Sequence, residues 1–199
     1  KALWGLGRLI ALEHPELRLR RFDLPVEAGA AAIASLAEEL TAPDGEVECG
    51  FRGGLRRVRR LIHRPPRPAA PPLVTIRGDG AYLITGGLGG LGLATARWLA
   101  DQGARTLLLF SRSAPNETAR AALDDLAARG VAVLQHVGDV ALASDLAAAL
   151  ATLQQRGLAL RGVLHLAGVV DDGPVAQLDA TRLARTFAPK ALGAWHLHC

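Results

Sequence analysis

Eight consecutive residues restrict this chain more than any others. Thr85-Gly86-Gly87-Leu88-Gly89-Gly90-Leu91-Gly92 carries five glycines between a short apolar run, Tyr82 to Thr85, and helical spacing from about Leu93 to Gln102. Glycine permits a tight turn and lets backbone N–H groups come close to a ligand. The first turn of a helix adds unpaired N–H donors and the positive end of the helix dipole. Strand, glycine loop and helix in that order form a fingerprint for the pyrophosphate of a dinucleotide. The expected contacts are Thr85, Gly86, Gly87, Leu88, Gly89, Gly90 and Leu91. An ordinary glycine-rich turn would leave the placement between strand and helix without a reason.

The pattern beyond the loop repeats. Strands are expected at Thr106–Phe110, Val131–Val137 and Gly162–Leu166, with helices at Asn116–Arg129 and Ala143–Arg156, each stopped by a glycine (Gly130, Gly157). A further helix is expected from Asp179 to Lys190. Strand and helix alternating at short spacing predict an α/β fold, a doubly wound parallel sheet of the Rossmann type. Right-handed crossovers bring the four strand C-termini to one edge, where ligands bind.

The strand ends refine the ligand. NAD sites place an acidic residue at the end of the second strand, about 20 residues past the glycines. Here that strand ends in Phe110-Ser111-Arg112-Ser113. A guanidinium and hydroxyls suit a 2′-phosphate, which predicts NADPH. At the third strand, Asp139, beside Val140, reads equally as an acceptor for the adenine amine or as a helix N-terminal aspartate. At the fourth, Ala167 and Gly168 leave room for a flat ring or ribose. His165 reads as a half-buried strand histidine with a structural hydrogen bond rather than a catalytic group.

The first third of the chain has another character. Helices are expected over Ala2–Leu12 and Ala28–Leu40, the second with Ile33, Leu36, Ala37 and Leu40 as its packed face. Strands are expected at Leu17–Leu24, Glu46–Phe51 and Leu55–Ile62. His63 to Pro72 contains five prolines and reads as a semi-rigid connector. The expected division is therefore 1–64, a Pro-rich linker over 65–77, and the start of a dinucleotide-binding unit over 78–199. Seven arginines from Arg52 to Arg67 lack interleaved aromatic residues and read as a solvated edge and connector, with no nucleic-acid partner expected.

The net charge of +4 is almost all arginine; Lys1 and Lys190 are the only lysines. An internal lysine where arginine is the default singles out Lys190. Two distant cysteines, Cys49 and Cys199, show neither metal nor disulfide spacing, so no metal is expected and a reducing cytoplasm is the simple reading. No apolar stretch of about 18 residues predicts a membrane span. A chain without an initial methionine, ending at Cys199 after a helical run, is expected to be cut from something longer.

Taken together, these signals resemble the short-chain dehydrogenase/reductase family, and more closely the ketoreductases of polyketide synthases. YLITGGLGGLGLATARWLADQGA, LLLFSRS, GDV, HLAGVVDDG and PKALGAWHLH look like that family's landmarks in order, over Ala81 to Cys199. ALWGLGRLIALEHPE resembles the end of its structural subdomain, a degenerate Rossmann half without cofactor. The resemblance implies hydride transfer from NADPH to a β-ketoacyl chain, carried on the phosphopantetheine of an acyl carrier protein among neighbouring synthase domains. It implies that Lys190, in Pro189-Lys190-Ala191-Leu192-Gly193-Ala194, is the catalytic lysine, which lowers the pKa of a tyrosine proton donor and holds the ribose hydroxyls. The family's Ser, Tyr and Asn would lie past Cys199, so the chain alone is expected to bind cofactor poorly and to catalyse nothing. Val170-Asp171-Asp172 resembles the Leu-Asp-Asp motif of ketoreductases that yield R-configured alcohols, with Val in place of Leu and Asp172 the diagnostic position. Two other readings stay open: an inactive pseudo-ketoreductase that braces its neighbours, and a reductase or epimerase acting on a free small molecule.

Overall fold

The computed structural model describes residues 2–41, 44–65 and 74–199. The chain divides into two compact units, residues 1–69 with 173–177, and residues 70–172 with 178–199. The proline-rich connector lies mostly at 66–73, outside the described residues.

The first unit contains helix α1 (Ala2–Glu13), strand β1 (Arg21–Asp23), helix α2 (Ala30–Thr41) and strands β2 (Glu48–Arg52) and β3 (Leu55–Val58). β1 runs parallel to β2, and β3 runs antiparallel to β2. Three expectations need correction. The strand expected over Leu17–Leu24 is reduced to Arg21–Asp23, because Pro15–Leu17 forms a 3₁₀ turn that ends at Arg18 with left-handed backbone. β3 stops at Val58. The packed face of α2 is also not the one expected. Ile33 and Leu40 are exposed, and Glu39 is the buried residue of that helix. Its carboxylate accepts hydrogen bonds from the guanidinium groups of Arg20 and Arg56. A buried charge persists only when paired and hydrogen-bonded, so this pairing sets which face turns inward.

Other arginines of this unit are similarly engaged. Arg8 and Arg21 converge on Glu48, while Arg52 pairs with Asp23 and Arg60 with Glu46. The hydrogen bond from Arg8 is the main cause that holds the Glu48 carboxyl down at about 2. In the same unit, the Val175 N–H donates to Glu13 Oε2 at 2.8 Å.

The second unit is a four-stranded parallel sheet with alternating helices, Rossmann-like in architecture. Its strands are β4 (Ala81–Thr85), β5 (Thr106–Ser111), β6 (Ala132–Val137) and β7 (Leu160–His165), in the order β6-β5-β4-β7. The first three helices are α3 (Gly90–Asp101), α4 (Glu117–Ala128) and α5 (Ala143–Gln155). The central strands are apolar on both faces, as a sheet covered on both sides requires. Tyr82, Ile84, Leu107 and Leu109 pack with Ala96, Leu99, Leu123 and Leu126 of α3 and α4. The alternate residues Leu83, Leu108 and Phe110 pack with Leu146, Ala149 and Leu153 of α5. Each fully buried leucine contributes about 1.5–3 kcal/mol.

The ladder register aligns the strand ends. Thr85 pairs with Phe110 and with His165, and Ser111 pairs with Val137. One sheet edge therefore carries all four C-termini. The Asn116 side chain caps α4 by accepting from the Ala119 N–H at 2.9 Å. The last expected helix is interrupted. It runs as α6 (Ala180–Phe187), a π-turn at Ala188–Leu192 and α7 (Gly193–His198). Pro189 has no N–H and its ring crowds the carbonyl one turn earlier, so a wider turn relieves the strain. No helix among the described residues is long and apolar enough to cross a membrane.

Candidate functional site

A cavity of about 430 Å3 opens at the sheet edge where the strands end. Its wall draws on the glycine loop (Gly86, Leu88), the end of β5 (Phe110 to Ala114), the end of β6 (Gly138, Asp139, Val140) and the end of β7 (Leu166 to Val169). Asn116 and the segment Arg185, Ala188, Pro189 complete it.

The loop is built by its own backbone. Gly86 adopts φ +67, a left-handed conformation that suits glycine, and a Cβ there would lie 2.9 Å from the Leu166 carbonyl. The Gly89 N–H closes the turn onto the Gly86 carbonyl at 3.0 Å. α3 starts at Gly90, three residues before the apolar spacing suggests, so Gly90 and Gly92 belong to its first turn. Gly92 lies so close to Gly86 that a Cβ would strike the Gly86 carbonyl oxygen. The N–H groups of Gly90, Leu91 and Gly92 have no intrahelical acceptor, because the helix has no earlier turn to supply one. Gly89 and Gly90 are exposed, as is the Leu91 side chain, which leaves the start of α3 open.

Two further N–H groups bind the loop to β5. Gly87 donates to the Phe110 carbonyl at 3.2 Å, and Leu88 donates to Ser111 Oγ at 3.1 Å. The hydroxyl of Ser111 thus holds the loop and keeps its own proton for another acceptor. Arg112 is exposed on the cavity wall and has no carboxylate partner among the described residues. Asp139 Oδ1 accepts from the Ala141 N–H at 2.9 Å, a local turn contact, while its second oxygen keeps its acceptor capacity. Val140 is buried beside it.

Thr85, expected at the ligand, is instead fully buried beneath the wall. Its Oγ1 accepts from the N–H groups of Leu166 at 3.1 Å and Ala167 at 3.2 Å, and contacts His165 Nδ1 at 2.6 Å. Its place is therefore one of support to the strand ends. Gly87, Gly89, Gly90 and Leu91 also stand outside the cavity wall. His165 makes the structural contacts expected of it, its Nε2 meeting the Pro189 carbonyl at 2.9 Å.

Lys190 lies in the π-turn, exposed, one residue past the cavity wall. Its Cε lies 3.4 Å from where a Cβ on Gly168 would stand, so the side chain runs along the end of β7. Of the two aspartates, Asp171 is the fixed one. Arg182 bonds it at 2.8 Å and Arg185 at 3.1 Å, and the Arg182 hydrogen bond holds its carboxyl below the usual range. Asp172 is exposed, with its backbone carbonyl accepting from Arg182 at 2.9 Å. Sequence reasoning misses Asn116 and Arg185 in the cavity wall. The Asn-Glu helix start is a usable sign for Asn116; nothing local marks Arg185.

Comparison with known proteins agrees with this geometry. The sequence model of the family described as "KR domain" matches residues 80–199. A phenolphthiocerol/phthiocerol polyketide synthase protein from Mycobacterium tuberculosis is 37% identical over 99% of this chain and 11% of its own length. The polyketide synthase GfsA of Streptomyces halstedii is 38% identical over 98% of this chain and 3% of its own. Among solved structures, A-type ketoreductases from a modular polyketide synthase superpose with a TM-score of 0.88 at 40% identity, over 99% of this chain and 42% of theirs. A C2-type ketoreductase superposes with a TM-score of 0.81 at 34% identity, over 98% of this chain and 41% of its own. Similarity is thus not confined to one ketoreductase type, and the chain spans a small part of its curated relatives.

Proposed function

The chain belongs to the KR domain family, the ketoreductases of modular polyketide synthases, and we propose that it forms the cofactor-binding part of an NADPH-dependent β-ketoacyl reductase. One observation carries this reading. The cavity has uncapped helix N–H groups close to one side and, on another, Arg112, which has no carboxylate partner among the described residues. A pyrophosphate fits the first and a 2′-phosphate fits the second. A Cβ at Gly86, Gly87 or Gly92 would strike neighbouring backbone, so the tight loop that exposes these donors requires glycine at those positions.

The chemistry that NADPH supplies when bound is a hydride for the ketone carbon. The chain's own groups hold and orient the cofactor. The first turn of α3 orients the pyrophosphate, and Ser111 keeps the loop in register with β5. Arg112 selects for the extra phosphate by charge-assisted hydrogen bonding. Asp139 offers its second oxygen to the adenine amine, and Ala167 and Gly168 leave a flat gap at the end of β7. The Lys190 ammonium holds ribose hydroxyls and, as a nearby cation, favours the ionised form of a proton donor beside it.

The substrate in this reading is a β-ketoacyl thioester on the phosphopantetheine arm of an acyl carrier protein, within a cytoplasmic synthase whose other domains flank the chain. The product is the β-hydroxyacyl thioester, R-configured on the strength of Asp172. The test is titration of the full-length protein that contains this chain with NADPH and NADH, followed by turnover of a ketoacyl thioester mimic. Tighter binding of NADPH and formation of the hydroxy product are expected. Indifference to the two cofactors, or preference for NADH, would overturn the reading.

A further inference from the structure

We propose that His165 is a positioning residue for Lys190, holding the lysine turn through the Pro189 carbonyl; the inference rests on the role given to Lys190 above. His165 ends β7, and both its ring nitrogens are engaged: Nδ1 with Thr85 Oγ1 at 2.6 Å and Nε2 with the Pro189 carbonyl at 2.9 Å. A carbonyl oxygen can only accept, so Nε2 carries the hydrogen. Thr85 Oγ1 already accepts the Ala167 N–H and shares the Leu166 N–H with the Thr85 carbonyl, while an imidazole with its hydrogen on Nε2 offers Nδ1 as an acceptor. Its own proton therefore goes to Nδ1. The partners fix one tautomer, and every member of the network is satisfied.

This network joins two parts of the site that are distant in sequence. Thr85 is the last residue before the glycine loop, and Pro189 is the residue before Lys190. Steric contacts hold the turn from its other sides. A Cβ on Gly193 would lie 2.8 Å from Val140 Cγ1 and 3.4 Å from His165 Cε1, and the Lys190 chain passes over the bare Cα of Gly168. Among these contacts only the imidazole bond is directional. A π-turn is a rare single-turn departure from the α-helix, and the donor from β7 fixes its carbonyl from outside the helix. Without that bond the turn stays packed but loses the constraint on where Lys190 points.

The test compares two substitutions in the full-length protein. His165→Gln keeps an N–H near the Nε2 position, whereas His165→Asn keeps a group near Nδ1 and leaves Pro189 without its donor. Lysine acylation followed by peptide mass spectrometry reads Lys190 directly, with and without NADPH. In the wild type and His165→Gln, NADPH is expected to protect Lys190; in His165→Asn, protection is lost and the rate without cofactor departs from wild type. Turnover of the ketoacyl mimic should fall by about tenfold or more in His165→Asn. It should fall no further when His165→Asn is added to Lys190→Met, because coupled residues are non-additive. Failure of NADPH to protect Lys190 in the wild type would overturn the role given to the lysine. The positioning claim is read separately, from acylation without cofactor. Rates there that match in wild type, His165→Gln and His165→Asn would overturn it.

Discussion

The hydroxyl of Ser111 receives the amide hydrogen of Leu88 at 3.1 Å, which ties the glycine loop to the end of β5. The group that presents backbone donors and the strand that leads into Arg112 are thereby joined by this side chain, beside the Gly87 N–H on the Phe110 carbonyl. Ser111→Ala should leave the Leu88 N–H unpaired at a half-buried position, at a cost of about 1 kcal/mol. The expected outcome is about fivefold weaker NADPH binding, measured by fluorescence titration, with little change in the ratio of NADPH to NADH affinity.

Arg112→Ala should act on that ratio instead. Loss of a charge-assisted bond to the 2′-phosphate removes about 1.5–3 kcal/mol, or roughly 10- to 150-fold in affinity for NADPH. NADH has no such phosphate, so its binding should change little. Calorimetric titration with both cofactors checks this.

Gly92→Ala places a methyl group on the Gly86 carbonyl and 2.7 Å from Gly87 Cα, both of them backbone. Overpacking of this kind costs about 1–3 kcal/mol. Thermal melting should fall by roughly 2–4 °C for each kcal/mol lost. Gly90→Ala meets nothing within 4 Å and serves as the control.

Acid should loosen the first unit through Glu48. Its carboxyl is lowered from 4.5 to about 2, chiefly by the hydrogen bond from Arg8, with Arg21 adding to it. A carboxyl lowered by folding contributes stability that is complete above its unfolded value and fades as pH falls toward its folded value. Denaturant midpoints should therefore drop between about pH 4.5 and pH 2. Glu48→Gln should begin less stable at neutral pH and show a shallower drop.

Asp172→Ala should change the configuration of the alcohol while turnover persists, since this exposed aspartate has no part in the loop's own ion pairs. Asp171→Ala should instead slow the reaction for either product, because it removes the carboxylate held by Arg182 and Arg185 and leaves Arg182 on the loop's backbone carbonyls. Chiral chromatography of the reduced thioester mimic separates the two effects.

What the sequence makes legible depends on the range over which each feature is determined. The glycine loop, the four parallel strands and the helix start at Asn116 are written in runs of fewer than about fifteen residues, where spacing alone is informative. α3 begins at Gly90 rather than near Leu93 because glycines at a helix start carry no apolar signal. Apolar spacing misreads the face of α2 because Glu39 is buried by arginines from β3 and from the segment before β1, which no local pattern reveals. Arg185 in the cavity wall and the clamp on Asp171 depend on α6 folding back, and Thr85 as a buried hinge of the network depends on the register of β4 with β7.

Residues 173–177 count with the first unit although they lie between two stretches of the second. Anyone dividing such a protein into expressible halves inherits that interlacing. A cut in the proline-rich connector would release an amino-terminal piece lacking Val175, the donor to Glu13. The pieces would need to be produced together, or the pentapeptide supplied in trans, for the amino-terminal half to regain its full set of contacts.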